Sequence, residues 1–386
     1  MSNQKLEELC INTIRCLAID MVQQANSGHP GAPMGMAPMA YVLWTRFLKH
    51  SPTDPDWPDR DRFVLSAGHA SALLYSMLHL TGYNLSLDEL KRFRQWGSKT
   101  PGHPEHGIAP GIEATTGPLG QGFANGVGMA ITERWLAERY NRPGHKIIDH
   151  YTYAIASDGD IQEGVSAEAA SLAGTLGLSK LIYLYDDNGI SIEGDTDITF
   201  RENVARRFQA YGWQVIGPID GLNTDSIDEA IKKARADKKR PSLIICTTMI
   251  GYGSPNKAGK ASAHGEPLGQ EEASLSKKQL GWPYQETFTV PAEVRACFAQ
   301  AKQKGIQQQK EWAAALRAYR QAYPAEAQQL QAALSGELPH GWDAGLDELF
   351  NKDEKPVATR DASGRVMNAL APKITNLIGG SADLAP

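Results

Sequence analysis

The sequence contains no uninterrupted apolar run of membrane length and no secretory signal pattern, so neither a spanning helix nor a removable leader is expected. Basic charge is not in excess. The 39 Lys and Arg stand against 44 Asp and Glu, for a net charge of -5. That balance supplies no broad electrostatic reason to expect nucleic acid or an anionic membrane surface as partner. Cysteine is scarce: Cys10, Cys16, Cys246 and Cys297 are too scattered for a zinc or redox motif. Four unpatterned thiols fit a reducing compartment, and a cytoplasmic location is expected. No internal repeat of roughly 20 to 50 residues is visible. What is there is an ordinary globular composition over 386 residues, enough for one large domain and part of another.

The chemistry concentrates between Tyr151 and Ile190. Tyr151 to Ala156 is a short apolar run stopped by Ser157-Asp158-Gly159, which predicts a buried strand ending in a turn. A helix rich in Ala and Leu follows from Glu168 to Leu176, with Gly177 placed to close it. Leu181 to Tyr185 is a second apolar run, ending in Asp186-Asp187-Asn188-Gly189. Parallel strands joined by a helix present their carboxyl ends on one edge of the sheet, so Asp158 and Asn188 are expected to share a crevice. A carboxylate and an amide carbonyl there suit Mg²⁺, which takes few protein oxygens and completes its shell with phosphate oxygens. An Asp-Gly after a strand is also a common plain turn, and this pair alone does not decide between the two.

Elsewhere, Leu6, Leu9, Ile14, Leu17 and Met21 recur at helical spacing, and the helix is expected to end at Ser27-Gly28, leaving His29 in a Gly/Pro loop. Phe63 to Leu65 predicts a strand, and Ser66-Ala67-Gly68-His69 leads into a helix from Ala70 to Leu80, a setting that favours anions. His103 lies in a proline-stiffened loop, and Gly117 to Gly122 precedes a helix from Phe123 to about Tyr140. Val215 to Ile219 and Ser242 to Ile250 predict further strands, separated by an amphipathic helix. Gly251 to Glu266 reads as an active-site loop carrying His264. Beyond Pro291 the chain turns rich in Ala, Gln and Lys, as in a solvated helical connector, and from Pro356 a new unit starts with a helix and then a strand.

Together, SGHPGAPMG, DRFVLSAGHAS, KTPGHPE, TTGPLGQG, ASDGDIQEG, YDDNGISIEG, IGYGSPNKAG and GGSADLAP resemble successive motifs of the transketolase family, in that family's order and over nearly the whole chain. Ser157 stands where the family's diphosphate motif has its first glycine. The resemblance implies an α/β fold: a doubly wound, mostly parallel sheet that binds thiamine diphosphate, then a helical linker and the start of a second α/β domain. It places a diphosphate-binding domain at 1–290, the linker at 291–354 and the opening of a pyrimidine-binding domain at 355–386.

By the same resemblance, Asp158, Asn188 and the carbonyl of Ile190 hold Mg²⁺, for which Ca²⁺ or another divalent metal can substitute. His69, Gly117, Pro118, Leu119, Gly159, Glu163, Asn188, His264 and Asp383 contact thiamine diphosphate. His29, His103 and His264 serve catalysis, while His29, His264 and Arg360 bind the substrate. The implied activity is transfer of a two-carbon ketol unit from a ketose phosphate to an aldose phosphate. Sugar phosphates are the implied partners, with a homodimer or a complementing chain, and neither nucleic acid nor membrane. The family's second domain carries a glutamate that this chain does not reach, so little turnover is expected from the chain by itself. A non-catalytic remnant and one half of a split enzyme are therefore alternatives. Asp160, a further carboxylate beside the motif, is expected to weaken diphosphate binding unless it points to solvent.

Overall fold

In the computed structural model, which describes residues 2–350 and 355–380, the short apolar runs assemble into one five-stranded parallel sheet. Its strands are β1 (Arg62–Leu65), β2 (Thr152–Ser157), β3 (Leu181–Asp187), β6 (Gln214–Asp220) and β7 (Ser242–Thr247). Between β3 and β6 lies a small antiparallel hairpin, β4 (Ile190–Ser191) with β5 (Gly194–Asp195). The sheet order is β1-β2-β3-β7-β6, with every neighbouring pair parallel.

The strands read as continuous apolar runs because both faces are covered. The two-residue period of a strand sends Tyr153, Ile155, Ile182, Leu184 and Ile244 to one core, against helices Asn3–Ala25, Gly31–Val42, Ser71–Thr81 and Thr224–Ala236. Ala154, Ala156, Tyr183, Tyr185, Leu243 and Ile245 face the other core, against Gln121–Tyr140, Gly164–Leu176 and Val204–Ala210. The doubly wound arrangement expected from the sequence is present.

Two expectations are corrected. Residues after His29 are no loop: Gly31–Val42 is a helix, and all of it is buried. Having no polar face, it shows no helical period to read, and its Gly and Pro look like loop signals. The glycines have a packing reason. A Cβ on Gly31 would collide with the carbonyl of Ala263, and one on Gly35 would lie 2.8 Å from the carbonyl of Met249. This close approach, with Gly251 N–H donating to the Gly31 carbonyl at 2.9 Å, draws the loop that carries His264 against the segment that carries His29.

The second correction concerns the last residues. The chain divides into two compact units, residues 1–314 and 315–386. In the second, helix Thr359–Leu370 forms as expected, but Leu377–Gly380 forms no strand. A strand needs a neighbour to take its N–H and C=O groups, and no other strand exists among the described residues of that unit. No helix among the described residues is long and apolar enough to cross a membrane. All four cysteines are free thiols, and the Tyr41 hydroxyl lies 3.9 Å from Cys297 Sγ.

Candidate active site

Parallel register aligns Ser157 of β2 with Asp186 of β3, so the chain leaves both strands at the same height. Asp158 and the 187–189 turn consequently meet: Gly189 N–H donates to Asp158 Oδ2 at 3.0 Å, and the Tyr185 hydroxyl donates to Oδ1 at 2.5 Å. The Asn188 amide donates to Asp186 Oδ2 at 2.6 Å and its Oδ1 accepts from Ile190 N–H at 3.0 Å, which orients the side chain. Thr248 donates to the other oxygen of Asp186 at 2.5 Å.

Burial, with Asp187 nearby, pushes the Asp158 carboxyl up to about 6, and burial, with Asp158 and Asp187 nearby, pushes that of Asp186 up to about 7. Among the described residues none of these three carboxylates has a Lys, Arg or His within ion-pair distance. A massed negative charge without a counter-ion fits a divalent cation, and the donors on offer are hard oxygens of the kind Mg²⁺ selects. Among the described residues there is no cluster of three or more His, Cys, Asp or Glu arranged as a metal centre. A metal here would rest on Asp158, the Asn188 amide oxygen, the Ile190 carbonyl and oxygens brought by a ligand.

Four histidines from four separate segments close the other side. Ring centroids lie 5.2 Å apart for His29 and His69, 6.4 Å for His29 and His103, 5.7 Å for His29 and His264, and 5.2 Å for His69 and His264. Burial, then His264, Arg94 and His103 in turn, lowers His29 to about 4, and burial lowers His69, His103 and His264 as well. At neutral pH the cluster is uncharged, able to offer both N–H donors and lone pairs to hydroxyl groups. His264 Nδ1 is buried with no hydrogen-bond partner among the described residues, which leaves it open to a ligand.

Arg94 was not foreseen. It lies in a run of charged residues that reads as plain surface, yet it adopts a left-handed backbone, with φ of 60°. Its guanidinium donates to Ser27 Oγ at 3.0 Å and to His29 Nδ1 at 3.4 Å. Guanidinium only donates, so Nδ1 accepts and the proton of neutral His29 sits on Nε2. Nuclear magnetic resonance of the His29 ring nitrogens is expected to report this tautomer from pH 8 down to 5, with protonation near pH 4. Titration near the ordinary 6.5 of histidine would contradict the burial argument. By linkage, a lowered folded pKa means that His29 contributes stability above about pH 6.5, and that this is lost as pH falls towards 4.

Asp160 does not point to solvent. It is fully buried, and its carboxylate accepts four hydrogen bonds: from Ser66 Oγ at 2.8 Å, Gly120 N–H at 2.9 Å, Ser157 N–H at 2.9 Å and Ser157 Oγ at 3.1 Å. It ties the turn after β1, the 117–120 loop and the turn after β2 to one point. A Cβ on Gly117, whose φ is 142°, would lie 3.2 Å from the His103 ring, and one on Gly159 would lie 2.9 Å from Leu119 Cδ1.

The result is a cavity of about 370 Å³ at the carboxyl edge of the sheet. It brings together His29, His69, His103, His264, Gly117, Leu119, Asp158, Gly159, Glu163, Asn188 and Ile190, with Ser157, Gln162 and Ile192 also on its wall. Pro118 is exposed in the same loop and does not line the cavity. Arg360 belongs to the other compact unit, where it is exposed beside Asp361 at 3.6 Å, and Asp383 lies outside the described residues.

The family profile described as transketolase, thiamine diphosphate binding domain, matches residues 6–339. A transketolase of Halalkalibacterium halodurans is 57% identical over 383 residues, covering 99% of this chain and 57% of the relative. Transketolase 2 of Escherichia coli is 55% identical over 378 residues, covering 97% and 56%. Among solved structures, a transketolase from Leishmania mexicana superposes with a TM-score of 0.94 at 48% identity, covering 99% of this chain and 56% of that one. A Pichia stipitis transketolase in complex with sedoheptulose 7-phosphate gives 0.93 at 45% identity, covering 98% and 56%. The chain thus spans a little over half the length of the relatives it matches.

Proposed function

The chain belongs to the transketolase family through its thiamine diphosphate binding domain, and from that premise we propose that its cavity is the diphosphate-holding and sugar-binding half of a ketol-transfer site. The observation that carries this is the meeting, at one cavity, of four neutral histidines with an Asp158–Asn188 pair short of positive charge. Asp158, Asn188 and the Ile190 carbonyl would hold Mg²⁺, or Ca²⁺ in its place. His69, His264, Gly117, Leu119, Gly159 and Glu163 would contact thiamine diphosphate, with Pro118 and Asp383 assigned to it by family resemblance. When bound, that cofactor supplies the nucleophilic carbon that carries a two-carbon unit between sugars.

The chain's own residues have three tasks. The Asp160 clamp keeps three loops in register, so the ligand meets a preformed wall. His29, with its proton on Nε2, can donate a hydrogen bond to a substrate oxygen, and His103 and His264, being neutral, can give or take protons near neutrality. Arg360 is the residue proposed to take the substrate phosphate, by a charge-assisted contact. The proposed substrates are a ketose phosphate donor and an aldose phosphate acceptor, and the proposed assembly is a homodimer or a complementing chain, in the cytoplasm. Residues 1–290, 291–354 and 355–386 are proposed as diphosphate-binding domain, linker and part of a pyrimidine-binding domain.

Calorimetry tests the site directly. Thiamine diphosphate is expected to bind tightly only with Mg²⁺ or Ca²⁺ present, because the carboxylates and the diphosphate repel each other without a cation between them. Equal affinity with and without divalent metal would overturn the proposed metal-bridged mode.

A further inference from the structure

At the opposite, amino edge of the sheet lies a second cavity, of about 400 Å³, formed where Asp61, Tyr151 and Lys180 lead into β1, β2 and β3. Its wall carries seven Lys and Arg side chains against the carboxylates of Asp61 and Asp149, on a chain whose net charge is -5. Four of the cations are neutralised locally. Arg46 pairs with Glu7 at 2.6 Å, Lys49 with Asp59 at 2.6 Å, Lys146 with Asp149 at 2.7 Å and Lys180 with Glu133 at 2.5 Å.

Arg235, Lys238 and Lys304 are not. Among the described residues none has a carboxylate within ion-pair distance. Instead they converge through neutral groups: Arg235 lies 4.6 Å over the Tyr151 ring, and Lys238 Nζ donates to the Tyr151 hydroxyl at 3.1 Å. Lys304 Nζ donates to the Arg46 carbonyl at 2.8 Å, and burial together with Arg235 holds its ammonium below the usual lysine range. Asp61 is spent on the backbone N–H groups of Lys49 and Tyr151, at 2.9 and 2.8 Å. Gln308 ends in the same cavity with Oε1 buried and no partner among the described residues, an amide free to turn either end towards a ligand.

We propose that this cavity is a binding site for a small phosphorylated molecule, a phosphate monoester or diphosphate, held by Arg235, Lys238 and Lys304 and oriented by Gln308. Asp61 acts on Arg235 and Lys304 from the same wall, so the three cations and this one carboxylate leave two positive charges uncompensated, which a phosphate group matches and a single carboxylate does not. The concave shape and its volume suit a small molecule. The site is separate from the carboxyl-edge cavity and does not depend on the ketol-transfer reading.

The test titrates inorganic pyrophosphate into the full 386-residue chain by calorimetry, without divalent metal and at ionic strength held constant with potassium chloride. A Lys238→Gln/Lys304→Gln variant keeps the Arg235–Tyr151 contact and is expected to weaken binding at least about tenfold. A His69→Ala/His264→Ala variant, altered in the other cavity, is expected to bind as the unaltered chain does. Unchanged affinity in the lysine variant, or a loss confined to the histidine variant, would overturn the proposal. The side-chain amide resonances of Gln308 in the unaltered chain give an independent reading: they are expected to shift on saturation with pyrophosphate, and their failure to shift would also overturn it.

Discussion

Asp158→Ala is expected to reduce metal-dependent thiamine diphosphate affinity on the order of 100-fold or more while leaving the unliganded fold nearly as stable as before. The two halves of that result have different causes. In the unliganded chain the Asp158 carboxyl is 4% exposed, raised to about 6 by burial and by Asp187, and offset by hydrogen bonds from the Tyr185 hydroxyl and from the backbone of Gly189 and Asn188. Removing it relieves a desolvation cost and a like-charge contact, and the Tyr185 hydroxyl retains Asp187 as an acceptor at 3.3 Å. The net change in stability should stay within about 1 kcal/mol. With metal and cofactor the same carboxylate is the one anionic ligand in the proposed set. The measurement pairs urea unfolding of the unliganded protein with calorimetry in Mg²⁺. Retained metal-dependent affinity would remove Asp158 from the metal site, and a collapse of unliganded stability would show its role to be structural.

Asp160→Ala is expected to do the reverse, costing about 3–5 kcal/mol of stability before any ligand is considered. All four donors on this carboxylate come from buried or nearly buried segments, and truncation leaves the Ser66 hydroxyl, Gly120 N–H and both Ser157 donors unsatisfied together. Asp160→Asn should recover little, because an amide turns a donor towards two donors. Denaturant midpoints for the two variants check this, and a loss below about 1 kcal/mol for alanine would mean that water or relaxation satisfies the three loops. The loops so joined carry His69, Leu119 and Asp158, so weaker cofactor binding should accompany the lost stability. In Asp158→Ala the two are separable.

Much of the layout was legible in the sequence for a local reason. The runs Phe63–Leu65, Tyr151–Ala156, Leu181–Tyr185 and Ser242–Ile250 are bounded by Gly, Asp and Ser, and each became a parallel strand within a few residues of its expected bounds. A parallel crossover then obliges Asp158 and Asn188 to face one crevice, whatever the rest of the chain does. The resemblance to transketolase motifs identified the histidines, but their convergence depends on contacts between segments. Gly31 fits under Ala263, and that close fit brings His29 and His264 to 5.7 Å.

The misreadings share a cause. Gly31–Val42 looked like a loop because a helix buried all round has no polar face to produce a period. Asp160 looked like a liability because nothing in SDGD tells which way a carboxylate points. Ser66 and Gly120, which make it a clamp, lie far away in the chain. Arg94 and the cluster of Arg235, Lys238 and Lys304 carry no signal in the sequence, since whether a cation is neutralised depends on which carboxylates the fold sets beside it. Sequence by itself determined the strands of the five-stranded sheet, their direction and the residue types at their carboxyl ends, because propensity, turn chemistry and crossover geometry act over short stretches. Only the tertiary structure decided burial, hydrogen-bond partners and charge balance, because those are set by residues that meet across long separations in the chain.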